Sequence, residues 1–193
     1  MKQLGLAMHN YHDTYGRFPP TAVCGPDGKP LLSWRVLILP SLDQENLYKE
    51  FHLDEPWDSP HNIQFVSPTP SMYRPYKGNA PADGMTYFRV FVGPGAGFEG
   101  MKGLTFADFK DGTSNTLLIV EAWDPVPWTK PDELPYDPDG PLPRLGGIAK
   151  DGSFRAAFVD GSVHVIRKGT SEETIRALIT RDGNEKILED YER

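Results

Sequence analysis

Residues 1–20, MKQLGLAMHNYHDTYGRFPP, decide the fold. Leu4, Met8, Tyr11 and Tyr15 recur at intervals of four, three and four, which a helix gathers onto one stripe. Gly16 and then Pro19 and Pro20 stop that helix, because glycine accepts the left-handed turn at a helix end and proline cannot extend one. The spacing predicts a helix over 2–15 whose stripe rests on a sheet while Lys2 and Asp13 stay in water. No Ser, Thr, Asp or Asn precedes the stripe to offer a capping oxygen to the first amides. The expectation is therefore the back half of a longer helix, with its front half in a membrane-anchored parent.

Working outward, LSWRVLIL at 32–39 is an apolar, β-prone run closed by Pro40. A second helix is expected from Ser41, with Gln44 completing a capping box and Leu42, Leu47, Tyr48 and Phe51 buried. A third is expected from Ser59-Pro60 through Ile63 and Phe65, and the prolines after Val66 predict an extended loop to Asn79. Thr86–Val92 and Thr116–Val120 read as strands. Between them and the next strands lies a Pro-rich excursion over 123–147, where proline argues against regular pairing. Phe154–Val159 and Val163–Ile166 flank Asp160-Gly161, the strongest hairpin signal in the chain, and His164 is expected to face solvent. A last helix is predicted from about Thr170, with Glu173 as capping partner and Ile175, Leu178 and Ile179 buried, ending near Asp182-Gly183. The fold class is α+β: one domain over 1–193, an N-terminal amphipathic helix packed on an antiparallel sheet, with short extra helices and Pro-rich loops.

Composition narrows function by exclusion. The chain is long enough to bury a core, yet its net charge of −7 and the lack of a Lys/Arg run make nucleic acid an unsuitable partner. No stretch of apolar residues is long enough to span a bilayer. Cys24, the single cysteine, has no internal disulfide partner and reads as an inert thiol in a Gly/Pro-rich loop.

Few residues invite chemistry. His9 and His12 lie one helical turn apart, but nothing nearby completes a metal set, so they read as polar flanks of the apolar stripe. Asp111-Gly112-Thr113-Ser114-Asn115-Thr116 combines hydroxyls with a carboxylate without a nucleophile elbow or a triad order. Asp111, Gly112 and Asn115 are therefore expected to build a turn that launches the strand at 116, as Asp160 and Gly161 build the hairpin. Trp34, Trp57, Trp123 and Trp128 are candidates for a ligand groove, with Trp123 and Trp128 singled out for binding; loop-anchoring core is the competing reading. Asp132, Asp137 and Asp139 place carboxylates at close spacing, as a hard cation such as calcium needs. The spacing lacks a full calcium-loop pattern, and Pro135 and Pro138 favour a solvated turn. No phosphate loop or dinucleotide fingerprint occurs. No catalytic residue and no cofactor is expected, and the chain is not read as an enzyme.

Several long motifs in order carry a resemblance: NYHDTYGRFPP at 10–20, LSWRVLILP at 32–40, LDEPWDSPHN at 53–62, DGTSNTLLIVEA at 111–122, VPWTKPDELPYDP at 126–138 and AAFVDGSVHVI at 156–166. Together they resemble a large bacterial family of secreted or surface proteins of unknown function with prepilin-type N-termini, domain of unknown function 1559, also labelled a bacterial solute-binding domain. The resemblance implies a pilin-like or pseudopilin-like head, extracytoplasmic and inner-membrane-anchored or at the cell surface. Its implied partners are the membrane and other pilin-like subunits, both met through the upstream helix, so the chain as given is expected to be monomeric. By the same analogy, pseudopilin heads often hold calcium in an acidic loop. One position departs from the pattern: many members carry a His ten residues before the C-terminal Asp-Gly, and Lys150 stands there. Whatever that His does is not carried over. The alternative function is an extracytoplasmic binding module for a sugar, small solute or cation.

Overall fold

In the computed structural model, which describes residues 1–75, 80–185 and 187, helix α1 spans Lys2–Tyr15. Gly16 ends it at φ 73°, donating its N–H to His12 O at 2.7 Å. Leu4, Gly5, Ala7 and Met8 are buried, and Lys2 and Asp13 are exposed. The stripe fades toward its end: Tyr11 is half-buried against the core, whereas Tyr15 is 61% exposed, their rings 4.4 Å apart. Periodicity puts these residues on one face, but the last turn of α1 runs past the elements that cover the first two.

Four strands form the central antiparallel sheet: β3 (Met85–Arg89), β5 (Leu117–Pro127), β7 (Phe154–Phe158) and β8 (Val163–Ile166), in the order β3-β5-β7-β8. A hairpin of β1 (Ala22–Cys24) and β2 (Pro30–Ser33) lies apart from it, and β4 (Phe91–Val92) pairs in parallel with β6 (Leu134–Pro135). Alternation along β7 divides the core. Ala157 joins Leu4, Met8, Phe18 and Trp34 in one cluster, while Phe154, Ala156 and Phe158 join Leu178 and Ile179 of α4 (Glu172–Ile179) in another. The sheet is thus covered by α1 and the N-terminal elements on one face and by α4 on the other. Gly5 permits the close approach of α1: a β-carbon there would sit 3.9 Å from that of Ala157.

Local readings needed correction where short runs were ambiguous. Only 30–33 of the apolar run is strand; Trp34–Leu37 turns into the short helix α2, capped by Ser33 Oγ, which accepts from the Arg35 N–H at 3.3 Å. A brief apolar run does not distinguish a strand from a buried helical turn. Ser41 lies inside a 3₁₀ turn (Pro40–Leu42), and the helix α3 begins only at Glu45, ending at Glu50. The third helix is a 3₁₀ turn, Asn62–Phe65, although Ser59 Oγ does accept from the Asn62 N–H at 3.0 Å. The loop expected over 66–79 is described only as far as Pro75, the remainder lying outside the described residues.

Proline does not exclude pairing in the excursion. Val126 and Pro127 pair with Thr86 and Met85, and the register skips before Glu121, so Asp124-Pro125 fall in a bulge where no ladder amide is needed. On β8 the facing is the reverse of that expected, with His164 half-buried against Phe158 and Val165 42% exposed. At the β7–β8 turn only Gly161 has positive φ, 82°; Asp160 contributes through Oδ1, which accepts from the Ser162 N–H at 2.8 Å. Ser171, one residue beyond the expected cap, caps α4 by accepting from the Thr174 N–H at 3.2 Å.

Candidate functional site

The last part of the excursion, 142–152, lies against β5 and opens a groove between it and the segment after β8. Three backbone bonds hold it: Trp123 N–H to Arg144 O, Gly146 N–H to Glu121 O and Gly147 N–H to Ala122 O, at 3.0–3.1 Å. Contact this close requires glycine, since a β-carbon on Gly147 would stand 2.0 Å from Trp123 O. The resulting cavity, about 380 Å³, has Leu142, Leu145, Phe154 and Ile175 among its lining. Trp123, 38% exposed, stands on its wall with the Arg144 guanidinium carbon 3.9 Å from the ring centre. Arg144, Lys150, Arg167 and Lys168 line the same cavity and are exposed. None of the described lining residues is acidic, and none carries a side-chain oxygen. Asp151 adjoins the groove, but its Oδ1 accepts from both the N–H and the hydroxyl of Ser153, at 2.9 and 2.6 Å.

Sequence reasoning singled out Trp123 but missed its cationic neighbours. Lys150 entered only as a departure from a family pattern, and Arg144, Arg167 and Lys168 come from two separated loops with no linear signature. The Gly146-Gly147 pair between Leu145 and Ile148 was the available local sign that two backbones meet closely.

The other tryptophan named for binding is core. Trp128 is fully buried, stacks on Tyr73 with ring centres 5.3 Å apart, and donates its indole N–H to Val66 O at 2.8 Å. It shares no groove with Trp123.

The three aspartates named for a cation do not act together. Asp132 pairs with Arg89 and Lys130, each at 2.7 Å. Burial works against ionisation there, but the Lys130 hydrogen bond and the Arg89 charge hold the Asp132 carboxyl below its ordinary range. Beside it, Glu133 is buried against Arg35 and accepts the Val90 N–H at 3.0 Å. Burial pushes the Glu133 carboxyl upward, with Arg35 opposing. The acidic dipeptide thus anchors the excursion to the core. Asp137 closes its own turn, Oδ1 accepting from the Asp139 N–H at 3.0 Å. Arg176 of α4 then donates to the carbonyls of Asp137, Pro138 and Gly140 at 3.2, 3.1 and 2.6 Å, so a guanidinium takes the oxygens a hard cation would use. Among the described residues, no three His, Cys, Asp or Glu side chains gather as metal ligands would.

The two Asp-Gly turns meet. Asp160 N–H donates to Thr113 O at 2.9 Å, and Val159 N–H to Thr116 O at 3.0 Å. Asp111 does not serve its own turn as expected: Oδ2 accepts from the Gly183 N–H and Oδ1 from the Asn184 N–H, at 2.8 and 2.9 Å, tying down the chain after α4. Asn115 closes the turn by donating Nδ2–H to Asp111 O at 2.9 Å, with Gly112 at φ 100°. His9 donates Nε2–H to Val159 O at 2.8 Å, and the His12 ring packs on Phe18 and Phe106.

A family described as a protein of unknown function (DUF1559) matches the chain over residues 1–74. No curated protein and no solved structure matches the chain. The matched segment holds α1, the β1–β2 hairpin, α2 and α3, whereas the groove around Trp123 lies outside it.

Proposed function

We propose that this chain is the non-enzymatic head of a pilin-like subunit, membrane-anchored or fibre-forming, displayed outside the cytoplasm. The observation that carries the reading is α1, which seals Leu4, Ala7 and Met8 on an antiparallel sheet while Leu6, 61% exposed, and Tyr15 face outward. A helix so placed presents one face to its own head and the other to a neighbouring subunit or a membrane-proximal partner. The Ser, Thr and Asp residues of the Asp111 turn support the non-enzymatic part, since those with described bonds spend them on backbone groups. The test is the parent reading frame and its processing. A basic leader and about twenty apolar residues ahead of α1, removed in part by a prepilin peptidase, is the expected result; a soluble domain joined there overturns it.

The groove favours a second reading, an extracytoplasmic binding module, because Trp123 and an apolar-lined cavity of this size are what small ligands use. Ligand titrations followed at Trp123 test it.

A further inference from the structure

Taking the binding-module reading as its basis, we infer that the Trp123 groove takes a small amphipathic organic anion: an aromatic or alicyclic body bearing a carboxylate. Three observations select this class. First, Arg144, Lys150 and Lys168 converge on one cavity in a chain whose net charge is −7, and no described lining residue is acidic, the Asp151 carboxylate beside Lys168 offsetting one of those three charges. A cation is repelled there, while an anion is favoured over bulk solvent. Second, no described lining residue has a side-chain oxygen to accept a hydrogen bond. A neutral sugar would leave its hydroxyl donors without side-chain partners on binding, which costs affinity, whereas a carboxylate only accepts. Third, Leu142, Leu145, Phe154 and Ile175 line the cavity between the cations, so burying an apolar body adds to the charge pairing. Arg144 is set for the planar contact. Its guanidinium lies 3.9 Å from the Trp123 ring centre, and a guanidinium held this way keeps in-plane N–H groups for a carboxylate. The backbone bonds that pin 142–147 to β5 form the wall before any ligand arrives, which lowers the ordering cost.

The experiment titrates the whole chain with 2-naphthoate, with its neutral counterpart 2-naphthylmethanol, and with maltose. It follows the Trp123 indole N–H resonance, assigned through Trp123→Phe. Expected is saturable binding of 2-naphthoate with Kd below about 1 mM. This binding should weaken with added salt and fall about tenfold in Lys150→Gln and in Lys168→Gln with unchanged melting temperatures. The naphthylmethanol should bind at least about tenfold more weakly. Equal binding of the two naphthyl compounds, full affinity in both lysine variants, or binding of maltose in preference to naphthoate overturns the anion assignment and leaves the binding-module reading standing. If none of the three moves the Trp123 resonance, both fail. Should either variant not fold, the naphthoate-to-naphthylmethanol comparison and its salt dependence on the unaltered chain decide.

Discussion

At the scale of single residues, the two Asp-Gly turns carry distinct structural duties that substitution separates. Gly161 sits at φ 82°, and a side chain there would point toward the His9 ring, whose atoms lie 3.7 Å from the β-carbon position. Gly161→Val is expected to cost about 1–3 kcal/mol, read as a lower melting temperature. Asp111→Ala removes two acceptors and leaves the N–H groups of Gly183 and Asn184 to water; because that region is exposed, the loss is expected to be about 1 kcal/mol. The signature of Asp111 is where it acts: amide exchange should quicken after α4 at 183–184, while the Asp111–Thr116 turn, closed by Asn115, stays protected. An Asp111→Ala chain with an unchanged melt and a lost calcium- or sugar-induced shift would instead make the turn a binding site. Asn62 shows the same principle in a buried setting. Its Oδ1 accepts the His52 N–H and its Nδ2 donates to the carbonyls of His52, Glu55 and Pro56, so one amide orders the whole 52–62 loop.

Elements behave according to how much of each is covered. The first two turns of α1 are sealed and the last is not, so Met8→Ala should cost about 2–5 kcal/mol, whereas Leu6→Ala should stay within about 0.5 kcal/mol. Chemical denaturation of the pair measures the contrast directly; equal losses would mean that α1 buries a different face. Asp83 gathers Ser67, Thr69 and Arg74 around one carboxylate. Asp83 accepts the Ser67 hydroxyl at 2.5 Å and the Thr69 N–H at 2.9 Å and pairs with Arg74, and these contacts lower its carboxyl pKa from the ordinary 3.8 to about 2. A carboxyl whose pKa is lower folded than unfolded stabilises above the unfolded value and loses that contribution as protons bind. The Asp83 contribution is therefore present above about pH 4 and disappears as pH falls toward about 2. Asp83→Asn should flatten the difference in stability across that window relative to the unaltered chain. Parallel acid titrations of the two would contradict the assignment.

For the molecule as a whole, charge and surface argue for a single copy in solution. The net charge of −7 opposes self-association, and large exposed apolar residues such as Leu6, Ile63, Met101 and Val165 are scattered over different elements. Light scattering at micromolar concentration is expected to return the mass of one chain. A tight dimer would identify an interface within the head and weaken the proposal that assembly runs through an upstream helix. The buried ionic cluster works at this scale too: Arg35 from α2 and Arg89 from β3 reach Glu133 and Asp132, fastening the Pro-rich excursion to two parts of the core. Such a pair adds little net stability over an apolar one, but removing one partner strands a buried charge, so it fixes where the excursion lies.

Local physics made much of the framework legible in the sequence. The 3.6-residue stripe and Gly16 located α1, β-branched and aromatic runs located the central strands, and Asp160-Gly161 located the hairpin, because each of these signals acts between neighbours along the chain. The same locality explains the misreadings: 34–37 is too short for its period to distinguish helix from strand, and a stripe in sequence says nothing about where its cover ends, which left Tyr15 in water. Tertiary structure alone decided the rest. Trp123 and Trp128 are five residues apart, yet one stands on a groove and the other in the core, because Trp123 lies within β5 and Trp128 just past its end, against different neighbours. The acidic stretch became an anchor only when Arg35, nearly a hundred residues away, was folded against it. A chain with no basic run acquired a basic groove when two loops, 142–152 and 167–168, closed around apolar residues of β7 and α4, since electrostatic potential depends on distance in space and not on order along the chain.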